Sequence, residues 1–233
     1  MMKIALKDIS HSVADQPILA NINVTVGPGE CLLITGRSGS GKSVLFNIIC
    51  DITRPQQGHV LIDDVEIATM TALQYARFRR DLGVIFQVSA LISNLTLEEN
   101  LLLPLNRHHS RLSMEEKRQK VWEICQQFGL TQYLDKRTDR LSSGLASLAG
   151  LARALIMEPK ALIWDAPMAQ VDRAWCQHEL ELLKQLKEKG TTLVLCSNRQ
   201  ELITSLADHQ VHLGLVDELT LGSEHAAQAQ KCQ

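Results

Sequence analysis

Three short apolar runs along the chain have the length and pattern of strands that are buried on both faces. They are Cys31–Thr35, Ala161–Trp164 and Thr191–Cys196. A run without polar alternation is typical of a parallel sheet covered on both sides, whereas a sheet with one wet face alternates. Helical stretches separate the runs, beginning with Lys42–Cys50. The pattern therefore predicts an α/β fold, with a mostly parallel sheet and helices on both faces.

The middle third of the chain shows helical periodicity. Ser113 and Glu116 have the spacing of a capping box, apolar residues follow at helical intervals, and Gly129 is placed to end the helix. A second helix is predicted over Ser142–Met157. We therefore expect an inserted helical subdomain over residues 88–150, between two halves of the sheet.

Length and composition are compatible with one compact domain. The chain has 233 residues, of which 45% are hydrophobic, enough to bury a substantial core together with such an insert. We expect residues 1–233 to form a single domain, with a flexible polar tail at residues 223–233.

Charge and cysteine content exclude several classes of protein. Lys and Arg total 24 against 26 Asp and Glu, a formal net charge of −2, so a basic footprint for nucleic acid is not evident and no nucleic-acid partner is expected. No stretch reaches the roughly 18 apolar residues of a membrane span, and the N-terminal run is too short for a signal peptide. The cysteines form no C-x-x-C pair and are interpreted as reduced core thiols of a cytosolic protein. They are Cys31, Cys50, Cys125, Cys176, Cys196 and Cys232.

A glycine- and serine-rich loop joins the first apolar run to the first helix. Residues 36–43 fit the pattern G-x-x-x-x-G-K-[ST]. In such a loop the glycines let the backbone approach a β-phosphate, which successive N–H groups hold at the N-terminus of the helix. The lysine reaches the β- and γ-phosphates of ATP, and the last hydroxyl ligates Mg²⁺. The predicted cofactor-binding residues are Gly36, Arg37, Ser38, Gly39, Ser40, Gly41, Lys42 and Ser43.

An Mg²⁺ site needs an acidic residue close to this loop. Asp165 directly follows the run Ala161–Trp164 and is placed at the end of a predicted strand. We interpret Asp165 as a metal ligand together with Ser43. The simpler alternative is a strand-end aspartate that caps the turn before Pro167.

The order of motifs around the loop resembles the nucleotide-binding subunit of an ABC transporter. Gln87 occupies the position of the family's Q-loop glutamine, Leu141–Leu145 that of its LSGGQ segment, and Asp165 and Asp172 those of the Walker B and D-loop aspartates. The resemblance covers residues 6–221 and implies a P-loop NTPase fold of the ABC type, in one nucleotide-binding domain. It also implies that Gln87 touches Mg²⁺ and contacts a membrane partner.

The resemblance implies further subunits. In the family, the serine hydroxyl and the second glycine amide of the LSGGQ segment hold the γ-phosphate bound to the opposite subunit, and Ser142 and Gly144 retain these groups. The expected partners are a second nucleotide-binding subunit, identical or homologous, and integral membrane permease subunits. The chain would then lie on the inner face of the cell membrane. The stretch Gln87–Leu91 is similar to the ATPases of Mla-type phospholipid transporters, which favours lipid transport.

Three positions depart from the family's pattern. Ala166 replaces the glutamate that orients or deprotonates the attacking water, a contribution of about 10²–10⁴ in rate. Asn198 replaces the histidine that contacts the γ-phosphate, and the aromatic residue that stacks on adenine falls near Val13 or Ala14. The sequence therefore predicts a subunit that binds Mg·ATP and hydrolyses it slowly. Restoring Ala166→Glu together with Asn198→His is expected to raise turnover at least about tenfold.

Two other functions compete with an ATP-hydrolysing transport subunit. The first is a nucleotide-responsive regulatory or structural subunit, which closes on ATP without cleaving it and which Ala166 and Asn198 favour. The second is a small-molecule kinase with the same phosphate loop. It is disfavoured because kinases lack an LSGGQ-like segment between their nucleotide motifs.

Other side chains have weaker functional interpretations. His108 and His109 are interpreted as solvated loop residues in preference to a metal site. Arg79 and Arg80 are placed on a solvated face or against a membrane partner, and Leu101–Leu105 in the core or in a groove for that partner. The three tryptophans are predicted to pack in the core or between helices: Trp122, Trp164 and Trp175.

Overall fold

The structure is a computed structural model that describes residues 1–169 and 173–214, with the side chains of residues 173 and 174 excepted. In that part the chain forms nine strands. They are β1 (Ile4–Val13), β2 (Gln16–Val26), β3 (Cys31–Gly36), β4 (Gln57–Ile62), β5 (Val65–Glu66), β6 (Leu82–Ile85), β7 (Ala161–Asp165), β8 (Thr192–Cys196) and β9 (His209–Leu213).

The strands form two sheets. Strands β2, β1, β4 and β5 make an antiparallel sheet in that order, whereas β6, β7, β8, β3 and β9 make a parallel sheet in that order. Strands β7, β8 and β3 are neighbours at the centre of the parallel sheet and are almost completely buried. Burial on both faces explains why their sequences show no polar alternation.

Seven α-helices lie between the strands in the same part of the chain. They are α1 (Lys42–Ile49), α2 (Ala72–Asp81), α3 (Leu97–His108), α4 (Met114–Gln127), α5 (Ser143–Leu155), α6 (Arg173–Glu188) and α7 (Gln200–Ser205). Thr96 and Ser113 close capping boxes at the starts of α3 and α4, and Ser142 caps α5. Each cap satisfies a backbone N–H that the helix itself leaves without a partner.

The buried apolar residues form two clusters, one on each face of the parallel sheet. The first joins β1, β2 and β4 of the antiparallel sheet to α1 and to one face of the parallel sheet, and it includes Phe46. The second joins α3, α4, α5 and α6 to the opposite face and includes Phe128 and Trp164. The molecule is therefore layered, and the parallel sheet separates two cores.

The fold class predicted from the sequence is confirmed: the parallel sheet has helices on both faces, and all three apolar runs are strands of it. Helix α4 begins at the predicted capping box, and Gly129 follows it with a positive φ of 65°. In the sequence, helices α3, α4 and α5 come between β6 and β7. The subdomain limits of residues 88 and 150 stay a prediction, and residue 150 falls inside α5. The predicted tail, residues 223–233, lies outside the described residues.

Several side chains differ from their sequence-based interpretation. His108 ends helix α3, which continues through Pro104, and partial burial lowers the pKa of its imidazole. Trp122 is 45% exposed, whereas Trp164 is buried. Four of the cysteines are buried free thiols, Cys176 is only partly buried, and Cys232 lies outside the described part. Of the two predicted places for Trp122, the core is therefore excluded, because a large residue can lie at the edge of a helix's buried face as well as inside it.

Candidate functional site

The predicted site residues meet at the carboxyl ends of three neighbouring strands. The loop of residues 36–43 follows β3, Asp165 ends β7, and Asn198 follows β8. Because β7, β8 and β3 are adjacent and parallel, these ends open on one edge of the sheet. Open parallel sheets bind their ligands at this edge.

The loop has a backbone that glycine makes possible. Gly36, Gly39 and Gly41 have positive φ values of 147°, 81° and 94°, and Gly41 directly precedes α1. A Cβ atom at Gly41 would lie 2.6 Å from Ile18 Cγ2. At Gly36 it would collide with Leu213 O and Ser40 Oγ. The loop is therefore packed closely from below, while Arg37 and Ser38 are exposed above it.

The loop presents polar groups towards the helix N-terminus. The hydroxyl of Ser40 is buried and has no hydrogen-bond partner among the described residues. The first backbone N–H groups of α1 have no side-chain cap, because Gly41 is the cap residue. Unpaired donors at a helix N-terminus attract anions, so this cradle has the chemistry of a phosphate site.

Lys42 is the cation of the cradle. Its Nζ donates hydrogen bonds to Gly36 O at 2.6 Å and Arg37 O at 2.7 Å, and so folds back along the loop. The ammonium group is half-buried at the start of α1. A flexible lysine in this place can exchange carbonyl oxygens for phosphate oxygens.

Ser43, Asp165 and Gln87, the three predicted metal ligands, line one cavity. The Ser43 hydroxyl donates to Asp165 Oδ2 at 3.4 Å, and Gln87 lines the same cavity. Burial raises the pKa of the Asp165 carboxyl above its ordinary value, and the Ser43 hydroxyl opposes that rise. One carboxylate with neutral oxygens fits Mg²⁺, which takes its remaining ligands from phosphates and water. The described residues contain no group of three His, Cys, Asp or Glu side chains suited to a metal.

Ala166 lies beside Asp165 in a left-handed backbone conformation. Its φ is 56°, and its N–H donates to Cys196 O at 3.0 Å. Ala166 lines the cavity, and its methyl side chain can neither accept a proton nor hold a water molecule by a hydrogen bond. Met168, two residues further along the same loop, is also left-handed, with a φ of 62°.

Asn198 is bonded to the phosphate loop itself. Its Oδ1 accepts from Gly36 N at 2.9 Å, and its Nδ2 donates to Gly36 O at 2.8 Å. Both polar atoms of the amide are therefore paired with one peptide residue of the loop.

These residues line one open cavity of about 650 Å³. Val13 is 50% exposed and lies on its wall together with Ile18, so aliphatic groups stand where the resemblance implies an aromatic residue. Ala14 is in the turn between β1 and β2 with a φ of 49°.

Ser142 and Gly144 lie elsewhere on the molecule. Ser142 is exposed at the start of α5, where its Oγ accepts from Leu145 N at 3.3 Å. Among the described residues, neither belongs to the lining of the cavity that holds Lys42. Asp172, which was assigned to the D-loop, lies outside the described residues.

The structure shows two functional candidates that the sequence reasoning missed. Arg199 lines the cavity next to Asn198, and its Nη2 donates to Met168 O at 3.2 Å, so it ties the loop after β7 to the loop after β8. Glu179 of α6 is fully buried, with the backbone of Met168 and the charge of Arg199 close to its carboxyl group. The tandem Asn198-Arg199 after a buried strand was the only sequence signal for Arg199.

The remaining sequence candidates form a separate surface. Arg79, Arg80 and Arg153 line a cavity of about 250 Å³ together with Leu103 and Pro104. Of the run Leu101–Leu105, Leu101, Leu102 and Leu105 are buried in the core, whereas Leu103 is exposed. The core interpretation therefore holds for these three buried leucines, whereas a groove for a membrane partner stays a prediction.

Comparisons with known proteins agree with this geometry. The sequence model of the family described as ABC transporter matches residues 19–169. The ABC transporter ATP-binding protein YtrE of Bacillus subtilis is 34% identical over 86% of this chain and 87% of its own length. The methionine import ATP-binding protein MetN 1 of Rhodococcus jostii is 32% identical over 82% of this chain, which spans 56% of that relative.

A solved structure has the same fold. It is a dimeric post-hydrolysis state of the ATP-binding cassette MJ0796 bound to ADP and Pi. It superposes with a TM-score of 0.81 at 29% identity and covers 91% of this chain and 96% of its own. No helix in residues 1–169 and 173–214 is both long and apolar enough to cross a membrane.

Proposed function

This chain belongs to the ABC transporter family as an ATP-binding subunit, and from that premise we propose that it binds ATP with Mg²⁺ in the cavity of Lys42 and Asp165 and transmits nucleotide-driven closure to membrane subunits. The observation that carries the proposal is the geometry of the loop. Three glycines with positive φ shape a backbone cradle around Lys42, and Ser43 Oγ lies 3.4 Å from Asp165 Oδ2.

Each residue of the cradle has one task. The N–H groups at the start of α1 bind the β-phosphate, and Lys42 leaves the carbonyls of Gly36 and Arg37 to pair with the β- and γ-phosphates. Ser43, Asp165 and Gln87 would hold Mg²⁺, which when bound neutralises phosphate charge. Val13 and Ile18 offer apolar contact to the base without aromatic stacking.

Hydrolysis at this site is slow under the proposal. A general base contributes about 10²–10⁴ in rate, which corresponds to about 3–5 kcal/mol of barrier, and the Ala166 methyl supplies none of it. Asn198 has a neutral amide, so it does not replace the charge that a protonated histidine can carry. Both polar atoms of this amide are also bonded to Gly36. The phosphate- and metal-binding groups are thus present in this chain, whereas cleavage chemistry is impaired.

The active assembly contains two ATP-binding subunits. Ser142 and Gly144 lie away from the cavity of their own chain, which suits a contact with nucleotide bound to a second subunit. The MJ0796 cassette is described as dimeric. If the partner is a homologue with a glutamate at the position of Ala166, the site formed with Ser142 and Gly144 of this chain can still turn over.

The cavity of Arg79, Arg80 and Arg153 is the proposed contact with a permease subunit. Leu103 is exposed beside it and gives the surface an apolar part. Transport of a lipid is also proposed, on the stretch Gln87–Leu91 alone; relatives with methionine import in their names set a competing expectation. Purification from membranes, followed by identification of the bound subunits and co-purified lipid, tests both.

A second function is favoured by a specific observation, the presence of Ala166 in the lining of the cavity. A subunit that closes on ATP without cleaving it would serve as a nucleotide-responsive regulator of a membrane complex. Phosphate release with and without the membrane partner separates the two functions, because only a transport ATPase is stimulated by its partner.

Nucleotide binding is tested with Lys42→Ala. We expect equilibrium titration with a fluorescent ATP analogue and Mg²⁺ to show saturable binding to the wild type, and a loss of at least about tenfold in affinity for the variant, because a charge-assisted phosphate contact contributes about 1.5–3 kcal/mol. Absence of binding to the wild type at millimolar Mg·ATP would contradict the proposal.

A further inference from the structure

The amide of Asn198 forms a two-point pair with the peptide of Gly36. Gly36 N–H donates to Oδ1 at 2.9 Å while Nδ2 donates to Gly36 O at 2.8 Å. The backbone pairing between β3 and β8 continues just to this point, with Ser197 N donating to Ile34 O at 3.0 Å. The side chain of Asn198 thus extends the pairing beyond the end of β8 to the first residue of the phosphate loop.

Gly36 O is shared between Asn198 and Lys42. It accepts from Asn198 Nδ2 and also from Lys42 Nζ at 2.6 Å. When Lys42 turns to a phosphate, the carbonyl would lose one donor, and an unpaired carbonyl in this buried position costs about 1–3 kcal/mol. Asn198 keeps it paired, so the lysine is released at lower cost.

We propose that Asn198 is a positioning residue that fixes the base of the phosphate loop, and that it supports ATP and ADP binding equally because it acts on the loop and not on the γ-phosphate. This inference rests on the proposed nucleotide binding. A loop that is ordered only part of the time binds with an affinity reduced by that fraction. Loss of the pair therefore weakens both nucleotides by the same factor.

Histidine cannot replace this pair. An amide presents its donor and its acceptor side by side in parallel directions, whereas the two ring nitrogens of imidazole point apart. Asn198→His consequently keeps at most one of the two bonds to Gly36. Restoring the family's histidine thus removes an anchor of the loop while it adds a contact to the γ-phosphate.

The test compares wild type, Asn198→Ala and Asn198→His for ATP and for ADP. We expect ADP affinity to fall about five- to tenfold in both variants, and ATP affinity to fall by the same factor in Asn198→Ala. Gln200→Ala, an exposed change in the first turn of α7, is the matched control and should leave both affinities as they are. Unchanged ADP affinity in Asn198→Ala, with or without a loss for ATP, would overturn the proposal.

A second readout is independent of nucleotide. Amide hydrogen exchange at Gly36 in nucleotide-free protein should accelerate at least about tenfold in Asn198→Ala, because its acceptor is lost, while exchange at Leu33 and Ile34 stays at the wild-type rate. Equal exchange at Gly36 in the two proteins would refute the pairing. A wild type that binds no nucleotide, yet shows the faster exchange in the variant, would leave the anchor standing and remove the proposed function.

Discussion

Ala166 combines an unusual backbone with an unreactive side chain. Its left-handed conformation costs an alanine about 1–2 kcal/mol, and its N–H donates a hydrogen bond to Cys196 O. Glutamate at this position would carry the same backbone cost as alanine. Ala166→Glu therefore adds a carboxylate to the cavity without adding new backbone strain, which makes the substitution a clean test of function.

Gly41 and Gly39 form a matched pair for testing the shape of the loop. Both have positive φ, but a Cβ atom at Gly41 would meet Ile18 and Leu19, whereas none of the described atoms lies within 4 Å of one at Gly39. We expect Gly41→Ala to lower the free energy of unfolding by about 1–3 kcal/mol more than Gly39→Ala, because overpacking adds to the shared backbone cost. Denaturant unfolding measures the difference. Equal losses would show that the wall under the loop is not tightly packed.

Site residues were predictable from sequence where their role follows from spacing. The motif of residues 36–43 places Lys42 and Ser43 on a helix start, and a buried run places Asp165 at a strand end, as the structure shows. The bonds of Asn198 and Arg199 were not predictable, because they depend on which neighbouring strand each side chain faces. Only the strand order brings residue 198 next to residue 36.

Helix α6 carries a buried carboxyl group, that of Glu179. Burial raises the pKa of Glu179 to about 7, and the backbone of Met168 and the charge of Arg199 oppose this only in part. The folded protein therefore keeps the proton at pH values where the unfolded chain, with a pKa near 4.5, has released it. The contribution of Glu179 to stability is therefore greatest below the unfolded pKa and falls as the pH rises towards 7.

Glu179→Gln should remove this loss. We expect the difference in the free energy of unfolding, variant minus wild type, to increase by about 2 kcal/mol as the pH rises from 5 to 8, since one pKa unit corresponds to about 1.4 kcal/mol. Glu181→Gln, an exposed change on the same helix, should show no such trend. A pH-independent difference between Glu179→Gln and wild type would show that the carboxyl titrates normally.

Whole elements were predicted best where both faces are buried. The central strands β3, β7 and β8 have unbroken apolar runs, so each could be predicted without knowing which strand it pairs with. The antiparallel sheet was missed because its strands are irregular: β1 and β2 pair with register shifts, and Asp8 and Asn21 have positive φ within them. Such strands lose the period-two signal from which a half-buried strand is recognised.

At the scale of the whole molecule, the cavity of Lys42 and the start of α5 lie in different places. We expect Gly144→Asp to leave ATP affinity of the isolated chain within about twofold, because Gly144 is not among the described residues that line the cavity. An aspartate in the first turn of a helix is compatible with the helix dipole, so the fold should persist. Its charge would repel the phosphates of a partner's nucleotide.

The measurement is the molar mass in solution with saturating Mg·ATP, by light scattering after gel filtration. If the partner is a second copy of this chain, wild type should form an ATP-dependent dimer and Gly144→Asp should remain monomeric; if it is a homologue, the same comparison is made on the mixture of the two chains. A variant that keeps the wild-type mass while losing ATP affinity would place Gly144 in the ATP site of its own chain. That result would contradict a site formed between two subunits.

The claim that this subunit binds ATP but cleaves it slowly depends on Ala166, so the most direct measurement compares phosphate release by wild type and by Ala166→Glu at saturating Mg·ATP, with ATP binding measured on the same samples. The account predicts slow release by the wild type and at least about a tenfold increase in the variant, at equal ATP occupancy. Rapid turnover by the wild type, or no increase in the variant with ATP still bound, would contradict it.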